Sequence, residues 1–135
     1  MPSRARAGEA LLDTVTFLWL VADPDALGAR AREAIVDPGN EVFLSAVSTW
    51  EIAIKHALGR LPLPEPVDRF VPTERDRHGV DSLPLDEEST LHLPRLPALH
   101  RDPFDRMLIC QAIAHGLVIV TPDRDVGQYP LRTLW

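Results

Sequence analysis

The chain has 135 residues, enough for one domain with a single sizeable core. Hydrophobic residues make up 45% and charged residues 25%, the balance of an ordinary globular protein rather than a disordered or fibrous one. The formal net charge of −6 argues against a protein that holds nucleic acid by bulk charge.

No apolar run approaches the roughly 18 residues of a membrane span. The start of the chain is weakly basic and lacks the apolar core of a secretory signal. Cys110 is the single cysteine, which rules out an intrachain disulfide and fits a reducing cytosol. Thirteen of the 14 basic residues are Arg, with Lys55 the exception; Arg suits planar recognition of phosphate, although a coding bias gives the same enrichment.

Residues 1–8 read as a loose, flexible tail and 9–135 as the folded domain. Residues 9–13 read as a buried strand ending at Asp13, and 14–22 as a helix. Asp23-Pro24 starts a second helix running to Val36, with Leu27, Ala31, Ala34 and Ile35 on its apolar face. Asp37-Pro38-Gly39-Asn40 is a turn, and 42–46 a second buried strand. Ser48 caps a helix that stops at Gly59, with Trp50, Ile54, Ala57 and Leu58 sharing one face. After a Pro-rich connection come a short helix at 67–77, a weak strand at 80–85, a short helix at 86–92 and a second Pro-rich stretch. The clearest helix covers 103–115, capped by Asp102 and ended by Gly116. Residues 117–121 form a continuous apolar strand, and 131–135 a last edge strand. This alternation is the signature of an α/β fold with a central, mainly parallel sheet.

Four carboxylates stand at element ends: Asp13, Glu51, Asp105 and Asp123. In open α/β sheets ligands bind beyond the carboxyl ends of the strands. Carboxylates gathered there can hold a hard divalent cation. Each also has a structural reading. Asp13 suits an N-cap. Ser48 and Glu51 have the spacing of a capping box, and Glu51 lies four residues before Lys55, as in a helix ion pair. Asp102 and Asp105 both favour a helix start; the pattern makes Asp102 the cap and frees Asp105. Asp123 and Asp125 flank Arg124 in a turn, so one of the two faces a pocket. Ser45 and Thr121, at strand ends, offer hydroxyls to a ligand or simply end strands. Arg101, Arg106 and Arg124 are candidates for phosphate contact or for pairing with neighbouring Asp. The five histidines show no metal-binding spacing and read as surface or packing residues. Neither a Gly-rich phosphate loop nor a Gly-x-Ser-x-Gly elbow occurs.

Several segments together resemble PIN-domain proteins of the VapC-like toxin type, the ribonuclease half of bacterial type II toxin–antitoxin pairs. They are Leu11-Leu12-Asp13-Thr14 with Leu18-Trp19, and Ser45-Ala46-Val47-Ser48-Thr49-Trp50-Glu51-Ile52. His100-Arg101-Asp102-Pro103-Phe104-Asp105-Arg106-Met107-Leu108-Ile109 is the longest and most specific. Val120-Thr121-Pro122-Asp123 and Leu134-Trp135 complete the set. Val15 stands where members often carry His, and Pro122 where Ala is common.

The resemblance implies a three-layer α/β/α PIN-like domain over 9–135. It implies an Mg²⁺- or Mn²⁺-dependent endoribonuclease with Asp13, Glu51, Asp105 and Asp123 as catalytic residues, Asp13 and Asp105 being the metal ligands. It further implies a cytoplasmic homodimer, an RNA substrate and a small antitoxin partner. The rival reading is a catalytically inactive PIN-like protein that only binds an antitoxin or regulator. A small-molecule phosphatase ranks below both, because Asp13-Thr14-Val15 lacks the second Asp of an Asp-x-Asp motif.

Overall fold

The computed structural model describes residues 8–135. The tail expected at 1–8 lies outside the described residues, apart from Gly8. Among the described residues, five strands form one sheet: β1 (Glu9–Leu12), β2 (Glu41–Ser45), β3 (Asp81–Leu83), β4 (Val118–Val120) and β5 (Thr133–Leu134). Their order is β3-β2-β1-β4-β5 and every neighbouring pair is parallel, so the sheet is wholly rather than mainly parallel. The helices are α1 (Thr14–Ala22), α2 (Ala29–Val36), α3 (Ala46–Ala57), α4 (Val67–His78), α5 (Glu87–Leu91) and α6 (Pro103–His115).

Successive residues of a strand face opposite sides, and both sides here are covered. Ala10 and Leu12 of β1 pack with Val42, Leu44, Val118 and Val120 against Phe17 of α1, Ala31 and Ala34 of α2, and Phe70 of α4. Leu11 and Ile119 point the other way, against Val47 of α3 and Leu108, Ile109 and Ala112 of α6. The result is the expected three-layer α/β/α arrangement, with β1 in the middle and its last three residues fully buried.

The α6 helix has the bounds its punctuation predicts. Asp102 Oδ1 accepts from the backbone N–H of Phe104 and Asp105 at 2.8 and 3.2 Å, and Gly116 closes the helix at φ +66°. Cys110 is buried in its core face.

Two elements depart from expectation. The helix predicted from Asp23-Pro24 is a single 3-10 turn, Pro24–Ala26, followed by extended Leu27 before α2 begins at Ala29. Buried Leu27 is turned inward, and Gly28 passes Trp135 so closely that a Cβ there would lie 2.5 Å from the Trp135 carbonyl carbon. Trp135 in turn packs against Trp19 at a ring separation of 5.8 Å.

The second departure is at α3. The helix follows β2 without a gap, and Ser45 rather than Ser48 is its cap, accepting from Val47 N–H at 3.0 Å. The expected Ser48–Glu51 capping box is therefore absent, since both residues lie inside the helix. The buried face carries Val47, Ser48, Glu51 and Ile52, whereas Trp50 and Leu58 of the expected apolar face are 58% and 61% exposed.

Candidate active site

In a parallel sheet all carboxyl ends lie on one edge, and the chain leaves that edge at Leu12, Ser45 and Val120. Asp13 follows β1 directly, Glu51 sits on α3 just beyond β2, and Asp123 lies three residues past β4. Asp105 comes from the first turn of α6. These four carboxylates line one cleft of about 420 Å³, with Asp102, Lys55 and Arg60 also on its wall.

Asp13 caps the helix that follows it and also lines the cleft. Its Oδ1 caps α1 by accepting from Thr16 N–H at 2.9 Å, while its backbone N–H donates to Val120 O at 3.2 Å and ties the start of α1 to β4. It is 8% exposed, and burial pushes its carboxyl above the usual range. Hydrogen bonds from Thr121 and Thr16 oppose that shift, and the negative charge of Asp123 adds to it.

Glu51 is 4% exposed and held from two sides. Thr14 Oγ1 donates to its Oε1 at 2.6 Å, and Lys55 Nζ donates to its Oε2 at 2.5 Å. Ser48 Oγ lies 2.9 Å from Thr14 Oγ1. Thr14 has one hydroxyl proton and a carboxylate only accepts, so that proton goes to Glu51 and Ser48 supplies its own to Thr14. The Lys55 pairing has the predicted i, i+4 geometry.

Asp105 carries the largest electrostatic load. Burial raises its pKa to about 7, helped by the negative charges of Asp102, Asp13 and Glu51 and opposed by His100. The cluster in its ion-free form thus retains a proton on one carboxylate near neutral pH. Hard oxygen donors crowded against one another, with too little positive charge nearby, fit a divalent cation of the Mg²⁺ or Mn²⁺ type.

His100 corrects the reading of all histidines as surface or packing residues. Its Nε2 lies 3.0 Å from Asp123 Oδ2 and 3.8 Å from Asp105 Oδ2. The Tyr129 ring meets the imidazole edge-on at 6.1 Å and fixes its plane. Nε2 and the two carboxylate oxygens all lie within 4.8 Å of one another. The signal that pointed to His100 is its place at the head of the block that also carries Asp102 and Asp105.

Thr121 and Asp123 complete the edge. Thr121 Oγ1 accepts from Asp123 N–H at 3.0 Å, and Asp123 Oδ1 accepts from Asp125 N–H at 2.9 Å, leaving Asp123 Oδ2 to His100. Asp125 is exposed and does not line the cleft. Ser45, expected as a possible ligand contact, instead turns its hydroxyl to the buried Gln111 side chain.

The three arginines that are candidates for phosphate contact or for pairing with Asp lie off the cleft wall. Arg106 donates to the carbonyls of Pro97 and His100 at 3.0 and 3.4 Å, and Arg101 and Arg124 are exposed. None of them lines the cleft. Among the described residues, none forms an ion pair with Asp102, Asp105 or Asp123.

Comparison with known proteins agrees with this architecture. The model of the PIN domain family matches residues 10–130. Ribonuclease VapC22 of Mycobacterium tuberculosis is 30% identical over 115 residues, 84% of this chain and 86% of that protein. Ribonuclease VapC16 of the same organism is 44% identical over 63 residues, 47% of this chain and 45% of its own length, so that match spans less than half of either protein. Among solved structures, VapBC2 from Rickettsia felis bound to a promoter DNA fragment superposes with a TM-score of 0.70 at 13% identity, covering 93% of this chain and 96% of that one. At that identity the likeness is one of fold.

Proposed function

This chain belongs to the PIN-domain family, and on that premise we propose that it is the toxin of a type II toxin–antitoxin pair, a cytoplasmic, Mg²⁺-dependent endoribonuclease. Mn²⁺ is an alternative ion. The observation that carries the reading is the convergence of Asp13, Glu51, Asp105 and Asp123 on one cleft at the carboxyl edge of the sheet. Relatives named as ribonucleases support the choice of RNA as substrate. The resemblance to VapBC complexes supports a small antitoxin partner, and a homodimer is part of the same proposal.

Asp13 and Asp105 would hold the cation directly, with Glu51 and Asp123 completing the negative field around it. A divalent ion bound there would supply positive charge to phosphate oxygens and would lower the pKa of a water bound to it. The chain's own side chains keep the carboxylates in place. Capping of α1 fixes Asp13. Thr14 and Lys55 fix Glu51 from opposite sides. His100 fixes Asp123 and offsets part of the charge around Asp105. Asp102 is spent on the helix cap, which leaves Asp105 free to face the cleft.

Retention of all four carboxylates and their supports weighs against the purely binding alternative. The test is incubation of antitoxin-free protein with structured RNA, in Mg²⁺ and then in EDTA. Cleavage should require the ion and vanish in an Asp13→Asn, Asp105→Asn double variant. Equal cleavage by that variant would move catalysis away from this cleft. Failure of the intact protein to cut any RNA would favour the binding-only role.

A further inference from the structure

An acidic cleft that receives a polyanion needs positive charge beyond one bound ion, and the chain's net charge of −6 does not supply it from a distance. Among the described residues, Lys55 and Arg60 are the only Lys or Arg side chains on the cleft wall. We propose that they form a phosphate-binding arm that seats the RNA backbone beside the carboxylates. This inference rests on the ribonuclease reading and names which residues hold its substrate.

Lys55 gives one of its three N–H donors to Glu51, and its side chain is 47% exposed. Two donors therefore remain for phosphate oxygens. Arg60 is exposed, and among the described residues its guanidinium makes no hydrogen bond or ion pair, so its planar fork is available in full.

The backbone sets the two side by side. The α3 helix ends at Ala57, Gly59 takes φ +71°, and the chain turns so that Arg60 N–H donates to Lys55 O at 2.9 Å. Gly59 is thus more than a helix stop, because the left-handed turn it permits brings Arg60 back over the last turn of α3. Arg106, by contrast, is spent on two carbonyls, and Arg101 and Arg124 do not reach the cleft.

The test compares wild type with Lys55→Ala, Lys55→Arg and Arg60→Ala. Cleavage kinetics on structured RNA are measured in Mg²⁺. Binding of a fluorescently labelled RNA hairpin is followed across a salt series, with Asp105→Asn added to every protein so that the hairpin stays intact. Arg60→Ala should raise KM by roughly 5- to 20-fold for a lost charged contact with little change in kcat, and Lys55→Ala, which also releases Glu51, should raise KM similarly and lower kcat as well. The slope of log affinity against log salt should become shallower by about 0.7 to 0.9 for each phosphate contact removed. Lys55→Arg should keep the slope. A merely structural role for Lys55 would change thermal stability and kcat but leave that slope alone. Arg60→Ala guards against misfolding, because the residue is exposed and makes no side-chain bond.

Unchanged slopes in both Ala variants of an RNA-cleaving protein would overturn the arm and leave the ribonuclease reading standing. An equal loss from Arg30→Ala, which lines a separate cleft, would reduce the effect to bulk charge and overturn it as well. If wild type neither binds nor cuts RNA, the ribonuclease reading itself fails and the arm falls with it.

Discussion

Thr14 Oγ1 donates to Glu51 Oε1 at 2.6 Å, joining the first residue of α1 to the second turn of α3 beneath the cleft. The bond is buried, so its loss strands a carboxylate oxygen away from water. Thr14→Val keeps the shape and removes the hydroxyl, which donates to Glu51 and accepts from Ser48. It should cost about 1–3 kcal/mol of stability, read from guanidinium unfolding at constant m-value. RNA cleavage should fall as well, because Glu51 would be held by Lys55 alone. A stability change below about 0.5 kcal/mol, the scale of an ordinary surface substitution, would show that the bond has no structural weight.

His100 reaches the cleft through Asp123 and Asp105 rather than through the substrate. Replacing it with Asn removes the imidazole while leaving a polar side chain at the rim. Groups that orient metal-binding carboxylates typically contribute about 10- to 100-fold in ion affinity or activity. His100→Asn should lower Mn²⁺ affinity within that range, measured by calorimetry on the RNA-free protein. Unchanged ion affinity would limit His100 to packing against Tyr129.

The parts of the fold set by local chemistry were legible in the chain. Asp102-Pro103 and Gly116 bracket α6, and the unbroken run through Val118, Ile119 and Val120 marks a buried strand. What local pattern could not show were contacts between distant residues. Glu51 and Thr14 are 37 residues apart, and Asp123 and His100 are 23 apart. The α3 helix shows the consequence. Its most hydrophobic stripe, with Trp50 and Leu58, suggested the core face, yet Ser48 and Glu51 turn inward because they meet Thr14 there. The side chains beneath the cleft override hydrophobic periodicity, since a buried polar residue with partners costs little. Likewise α2 starts late because Gly28 must pass Trp135, a neighbour that no local signal reveals.

Asp105 should make the ion-free protein less stable as pH rises. Its carboxyl is raised from 3.8 to about 7, so between those values the folded state holds a proton that the unfolded chain releases. Stability is then greatest at the acidic end of the window and declines as pH climbs through about 7. Asp13, raised chiefly by burial, acts in the same direction. In EDTA, the melting temperature of wild type should drop more between pH 5.5 and pH 8, a span of about 2.5 units, than that of Asp105→Asn, which cannot ionise there. Parallel curves for the two proteins would mean that the Asp105 carboxyl titrates normally.

Adding a cation should reverse that trend. An ion that binds the carboxylates displaces the proton from Asp105, so its affinity must rise with pH. At about 100 times its dissociation constant a folded-state ligand contributes roughly 2.7 kcal/mol, which for a chain of this size is a rise of roughly 10 °C in melting temperature. Mg²⁺ or Mn²⁺ at a fixed concentration should therefore stabilise wild type more at pH 8 than at pH 6, roughly two units apart and on either side of the Asp105 transition. The increment should shrink in Asp13→Asn and in Asp105→Asn, each of which removes a negative charge from the proposed ligand set. Glu51→Gln separates the roles within the cluster: Gln retains an oxygen to accept from Thr14 but brings no charge to the ion. If Glu51 serves the ion's field, Glu51→Gln should lower the increment as well. An undiminished increment in Glu51→Gln would restrict Glu51 to holding α1 against α3, and an undiminished increment in all three variants would place the ion outside this cleft.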